Sequence, residues 1–233
     1  MIGTLSFSQN NLNKTSTRRI ITLENGVLEE RADWLRKRLD LNEREIAKMI
    51  RRHPGILGKR PDENLTPKLD YLQTRLVLDN ISLRKILLGA PSILGSSTKD
   101  SIAPKLDYLQ ERLGLDEASL RKIILVAPNA LGFSIKNSLA PKLDWLQRRL
   151  VLEDKKLAKV ITRMPTILQY GIEGNITPKL DWLQRRLDLD DAAVGKMIQR
   201  LPSILELLEI FVLQQILLID PSFKTIIPTL FLS

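Results

Sequence analysis

Proline recurs at a fixed interval of 37 residues through most of this chain. One series consists of Pro54, Pro91, Pro128, Pro165 and Pro202, and the other of Pro67, Pro104, Pro141 and Pro178. Each proline of the second series opens one phrase, which reads PKLDYLQTRLVL at its first occurrence and PKLDWLQRRLDL at its last. A period of 20 to 50 residues is typical of stacked supersecondary units that each contact their neighbours. The sequence therefore predicts a solenoid rather than a globule built around one active site.

The first half of each repeat carries a helical pattern. We number the repeat from the proline of the second series, with Glu30 at position 1 of the first copy. The five units are residues 30–66, 67–103, 104–140, 141–177 and 178–214. Leu65, Leu69, Leu72 and Leu76 fall at i, i+4, i+7 and i+11, which is one stripe of an α-helix. The pattern predicts a first helix from about Leu65 to Leu78. The expected N-caps are Asn64, Ser101, Ser138 and Asn175.

The second half of the repeat predicts another helix and a short apolar segment. The expected N-caps of this second helix are Asp79, Asp116, Asp154 and Asp190, with Asn42 and Glu45 as a capping box in the first unit. Its apolar residues in the second unit are Ile81, Leu83, Ile86 and Leu87. Pro91 should end the helix, because the residue before a proline avoids the helical region. We call the following Pro-x-x-Leu segment the plug, and expect a 3₁₀ turn that buries two apolar side chains. The fold class is therefore all-α, a superhelical solenoid of ten repeat helices with no strand within residues 30–205.

The two ends of the chain differ from the repeats. Residues 1–29 are interpreted as a disordered lead-in or an organelle transit peptide, because residues 1–23 hold three basic residues and no acid. At residues 215–233 the repeat phrase is lost, which indicates an atypical C-terminal cap or tail. A closing helix over the last repeat is the preferred interpretation, and a truncated chain end is the alternative. The apolar stretch from Ile204 to Ile219 is short for a membrane span, so no membrane partner is expected.

The Pro-Lys-Leu-x-aromatic-Leu opening and the Pro-x-Ile-Leu plug resemble the mitochondrial transcription termination factor (mTERF) family over roughly residues 30–205. The resemblance implies an all-α solenoid that holds double-stranded nucleic acid, usually organelle DNA, along a basic groove. It also implies a role in transcription termination or initiation, although some members act on RNA or ribosomes. The expected location is the mitochondrion or plastid, and we expect a monomer on the nucleic acid.

Basic residues recur in register, in a chain whose formal net charge is +9. Position 2 is basic in every unit: Arg31, Lys68, Lys105, Lys142 and Lys179. Position 9 is always arginine: Arg38, Arg75, Arg112, Arg149 and Arg186. These positions share a helical face, so stacked units would present two rows of cations to a polyphosphate backbone. A lysine at position 2 opposes the helix dipole, which favours phosphate contact over mere solvation.

Three repeated positions leave alternatives open. Position 4 is aspartate in all five units, so position 9 could instead form an Asp–Arg ladder between neighbouring repeats. Position 19 holds lysine near the end of the second helix, where a cation is favourable anyway and solvation is the preferred interpretation. Position 5 is always aromatic, and packing between units explains this more simply than stacking on bases.

The composition also limits the chemistry. The chain has no cysteine and one histidine, His53, which we interpret as a local packing variant. It carries no Gly-rich phosphate loop and no GxSxG motif, so we expect no enzyme activity, no metal and no cofactor. The leading hypothesis is a protein that binds double-stranded organelle DNA and regulates transcription. The alternatives are an RNA-binding protein and a protein-binding helical scaffold. The polar positions barely vary between units, which favours backbone recognition over a base-by-base code.

Overall fold

The computed structural model describes residues 25–208; the predicted transit peptide and C-terminal cap lie mainly outside the described residues. Within this range the chain forms five pairs of α-helices and no strand, which confirms the all-α repeat. The pairs are α1 (Asn25–Leu39) with α2 (Glu43–Arg52), α3 (Thr66–Leu76) with α4 (Asn80–Gly89), α5 (Ala103–Leu113) with α6 (Glu117–Val126), α7 (Ala140–Arg149) with α8 (Asp154–Arg163), and α9 (Thr177–Leu187) with α10 (Asp191–Arg200). A further helical segment covers residues 204–208.

The helices belong to two compact units, which divide between Thr98 and Lys99. The first unit contains α1 to α4 and the second contains α5 to α10. Each has a core built from the leucine stripe of the first helices and the apolar face of the second, as Leu72 and Ile86 in one unit and Leu109 and Ile123 in the other show, all fully buried.

The plug is a 3₁₀ turn in the first four repeats, as the sequence predicts, whereas in the fifth repeat Pro202 and Ser203 form a turn that leads into the helical segment at 204–208. The 3₁₀ turns span Pro54–Gly58, Pro91–Gly95, Pro128–Gly132 and Pro165–Gln169. The residue before each proline leaves the helical region, and Ala90 has φ −137° and ψ 73°. The plug leucines are at most 3% exposed, which confirms their predicted burial: Leu57, Leu94, Leu131, Leu168 and Leu205.

The first helix of the repeat begins differently from the prediction. A π-helical turn precedes each of α3, α5, α7 and α9, and Pro61–Leu65 is the turn before α3. The backbone N–H of Thr66 donates to the carbonyl of Pro61, one residue further back than in an α-helix. The next residue, Pro67, has no N–H to donate, and the wider turn accommodates its ring within a continuous helix. The predicted N-caps were therefore wrong, because these residues lie inside the π-turns: Asn64, Ser101, Ser138 and Asn175.

The caps of the second helix follow the sequence except in one repeat. Asn42 and Glu45 form the complete capping box, and Asp79, Asp116 and Asp190 each accept a hydrogen bond from the backbone three residues on. Asp154 was wrongly assigned as a cap, because it stands one residue later in the repeat than the other caps and is the first residue of α8. Glu153 occupies the cap position there without a side-chain hydrogen bond.

Position 11, at the corner between the two helices, adopts the left-handed conformation in every repeat. Its φ lies between 49° and 57° at Asp40, Val77, Gly114, Val151 and Asp188. Only glycine adopts this region without steric cost, and a β-branched residue there is an outlier. The side chains of Val77 and Val151 are 66% and 62% exposed. The corner geometry is thus imposed by the packing of the repeat, and Gly114 is the one copy with no side chain.

Candidate nucleic-acid interface

The cations at position 2 bind the end of the plug in their own repeat. The donor groups of Arg31, Lys68, Lys105 and Lys142 lie 2.5 to 2.8 Å from the carbonyl oxygens of Leu57, Leu94, Leu131 and Leu168. Lys68, Lys142 and Lys179 are at most 7% exposed. A phosphate could reach these ammonium groups only if the bond to the carbonyl were released. Phosphate contact at position 2 stays a prediction, and the hydrogen bonds to the plug give these residues a structural role.

Burial shifts the acid–base behaviour of these lysines. Removal from water, together with the nearby charge of Lys59, lowers the pKa of Lys68 from about 10.5 to about 8. Burial also lowers the pKa values of Lys105 and Lys142. The Lys142 ammonium lies 5.3 Å from the centre of the Phe133 ring. The position-2 lysines are therefore held among apolar and aromatic groups, with backbone carbonyls as acceptors.

The free energy of unfolding should rise as the pH increases from about 8 toward 10.5. Lys68 has a lower pKa in the folded chain, so the unfolded chain binds more protons across this interval and higher pH favours folding. Urea unfolding at several pH values should show this rise in the wild type and a smaller one in Lys68→Met. Lys85→Met, at an exposed lysine, is the control. Equal slopes in wild type and Lys68→Met would contradict the assigned burial.

Position 9 forms the ladder between neighbouring repeats that the sequence left as an alternative. Arg112 donates to Asp144 at 3.1 Å, to Gln147 at 2.6 Å and to Asp154 at 3.2 Å, all in the following repeat. The same network is made by Arg149 with Asp181, Gln184 and Asp191, and by Arg38 with Asp70 and Gln73. Arg75 and Arg186 also take part in interactions. For Arg38, Arg112 and Arg149 the aspartate pairing is confirmed, and their phosphate contact stays a prediction.

Position 19 presents the exposed cations of the repeat. Each lysine lies on the outer side of a second helix, opposite the buried positions 17, 20 and 21: Lys48, Lys85, Lys122, Lys159 and Lys196. Among the described residues none of them forms an ion pair, whereas positions 2 and 9 are engaged within the chain. The sequence favoured solvation at this position because a cation near a helix C-terminus is favourable anyway, and the exposure of these lysines agrees with that interpretation. We call these five lysines the position-19 row.

Arginines at position 23 extend this basic surface toward the plug. Arg52 donates to the carbonyl of Leu88 at 3.0 Å, and Arg163 donates to the carbonyls of Gln199 and Arg200, both at 3.1 Å. These carbonyls end the second helix of the following repeat, where a cation also favours the helix dipole. The guanidinium groups of Arg52 and Arg163 are thereby anchored while their residues remain exposed.

His53 and the aromatic residues are used for packing. The His53 ring lies against Gly95, where any Cβ would collide with it, and burial followed by the charges of Lys59 and Lys68 lowers its pKa. The aromatics at position 5 are half-buried in all five repeats. No group of three or more His, Cys, Asp or Glu side chains within residues 25–208 is arranged to hold a metal ion. None of the helices in that range is long and apolar enough to cross a membrane.

Comparison with known protein families identifies the family to which these repeats belong. The family profile named mTERF matches residues 5–219, which is most of the chain. A search of curated proteins gives no match. Members of the mTERF family are nucleic-acid-binding, transcription-related proteins of organelles. The helix, helix and plug of each 37-residue unit and the extent of the match lead to one conclusion: this chain belongs to the mTERF family.

Proposed function

We propose that this protein binds double-stranded organelle DNA through the position-19 lysines and thereby regulates transcription. The observation that carries the proposal is the recurrence of an exposed lysine at the same place on five second helices. Three of these lysines belong to the second compact unit and two to the first. A repeated cation that forms no ion pair among residues 25–208 is suited to a ligand whose charge also repeats.

The chemistry of the row favours the backbone of the nucleic acid over its bases. Lysine is a compact charge on a flexible stem and binds phosphate without the planar geometry that base edges demand. The five copies are identical, so they supply no variation with which to read a sequence. Binding should therefore be dominated by release of condensed counterions, with a steep dependence on salt.

Positions 2 and 9 enter this proposal as residues that shape the surface. Position 2 joins the first helix to the plug of the same repeat, and position 9 joins one repeat to the next. Both interactions are made entirely within the chain, so they keep the second helices in place. Such preorganisation lowers the cost of ordering the interface.

Replacing all five position-19 lysines by glutamine should abolish most duplex binding. Each phosphate contact contributes about 0.9 to the slope of log K against log salt, so the slope should fall by up to about 4 units. The measurement is fluorescence anisotropy with duplex DNA, duplex RNA and single strands at several salt concentrations. The control replaces five exposed cations outside the row by glutamine: Lys37, Lys99, Lys136, Arg148 and Arg185.

The outcomes separate the competing functions. Equal losses of affinity in the two quintuple variants would contradict specific binding by the position-19 lysines. Binding would then depend only on the net charge of the protein. Tighter binding to RNA would support the RNA alternative, and no salt-dependent binding to any nucleic acid would support a protein-binding scaffold. A loss of slope in the variant of Lys68, Lys105, Lys142 and Lys179 to glutamine, with the fold retained, would restore position 2 as a phosphate contact.

A further inference from the structure

A groove of about 380 Å³ lies between the start of α6 and the side of α8 in the second compact unit. One wall comes from the corner and first turn of the third repeat, and the other from the second helix of the fourth. Its lining includes Gly114, Asp116, Ser119, Ala158, Lys159 and Arg163.

Small residues explain why the groove is open here. Gly114 at position 11 has no side chain, and Ala158 at position 18 projects only a methyl group between the two helices. One repeat later Gly195 stands at position 18, and its backbone lies directly against the carbonyl of Leu150. There α10 packs directly on the corner of the preceding repeat, whereas in α8 the methyl group of Ala158 lines the groove beside Gly114.

The α8 wall of the groove carries two cations one helical turn apart. Lys159 belongs to the exposed position-19 row, and Arg163 has part of its guanidinium fixed on the carbonyls of Gln199 and Arg200. An arginine has five N–H donors, so those contacts leave others for a ligand. The opposite wall carries Asp116, whose carboxylate accepts the backbone N–H of Ser119 at 2.7 Å.

We propose that this groove seats one phosphodiester group of the bound nucleic acid, held by Lys159 and Arg163. The inference rests on the proposed function and identifies one repeat as the place of closest contact. A point charge and an anchored guanidinium on adjacent turns can share the oxygens of one phosphate. Asp116 repels that phosphate and so directs it to the α8 wall. The other position-19 lysines then attract the nucleic acid electrostatically, while α8 holds one phosphate at a fixed position.

The test compares variants that remove the same charge from different places. Lys159→Gln with Arg163→Gln should weaken duplex DNA binding about tenfold more than Lys122→Gln with Lys196→Gln, because a seated charge-assisted contact is lost as well as attraction. The first pair should lower the salt slope by about 1 unit, because its two cations share one phosphate, and the second pair by about 2 units, one for each lysine. Equal affinities of the two double variants for duplex DNA would overturn the phosphate site in the groove but would not contradict the proposed function. No effect of either pair would argue against the proposed function itself.

A second variant fills the groove without changing any charge. Ala158→Met should weaken duplex binding several-fold and lower the salt slope by up to about 1 unit, because the phosphate can no longer enter the groove. Ala192→Met, on the exposed side of α10, should bind as the wild type does. Circular dichroism would establish that both variants keep their helices. Asp116→Asn retains an N-cap residue while removing the repelling charge, so it should bind duplex DNA more tightly. Wild-type affinity in both Ala158→Met and Asp116→Asn would overturn the phosphate site in the groove.

Discussion

Replacing Leu131 by alanine is expected to lower the free energy of unfolding by about 2–5 kcal/mol, the range for a large-to-small change in a packed core. Leu131 is 1% exposed at the end of the third plug, and its backbone carbonyl accepts the hydrogen bond of Lys105. The substitution leaves the backbone acceptor in place but opens a cavity beneath it. Urea unfolding followed by circular dichroism measures the loss.

The control for this prediction is Val126→Ala. Val126 ends the helix that leads into the same plug and is 43% exposed, so its truncation removes far less buried area. We expect a change of a few tenths of a kcal/mol, as for most surface substitutions. A similar small effect at Leu131 would show that the plug contributes little to the core.

Replacing Gly195 by alanine should destabilise the protein, in contrast to the usual effect of this change within a helix. Alanine normally favours a helix over glycine by up to about 1 kcal/mol. Here the new Cβ would overlap the carbonyl oxygen of Leu150, and backbone cannot move aside as a flexible side chain can. We expect a loss of about 1–3 kcal/mol, the range for overpacking.

Gly26→Ala is expected to change the stability in the opposite direction in the same assay. Gly26 lies in α1, is exposed, and has nothing within 4 Å of the position its Cβ would take. Its substitution should leave stability unchanged or raise it by up to about 1 kcal/mol. If Gly195→Ala were as stable as Gly26→Ala, α10 could not be packed against Leu150 as described.

Much of the fold follows from the sequence because identical spacing forces identical local structure. Five copies of the leucine stripe and of Pro-x-x-Leu predict paired helices and a buried 3₁₀ plug. The π-turns were missed because an asparagine or serine before a helix reads as a cap whether or not the chain is already helical. Asp154 was misassigned because it directly follows Glu153, another acidic residue, and Glu153 is the one that aligns with the caps of the other repeats.

The candidate site was harder to predict than the fold. Sequence shows that position 2 is basic, but a long aliphatic side chain can either extend into water or lie buried with its ammonium on a carbonyl. Only the position of the plug, 26 residues further along the chain, decides between the two for Lys68 and Lys142. The groove beside Lys159 depends on two small residues, Gly114 and Ala158, in different repeats, and no local pattern connects them.

The cations at position 2 and those at position 9 make different contributions to the cooperativity of unfolding. Position 2 joins residues 26 apart inside one repeat and is buried or half-buried, so it contributes to the intrinsic stability of that repeat. Position 9 joins residues 32 apart in adjacent repeats through partly exposed ion pairs, so it contributes to the coupling between them. In repeat proteins these two quantities set how many repeats unfold together. Because salt screens exposed pairs more than buried ones, raising the ionic strength would reduce the coupling while sparing each repeat.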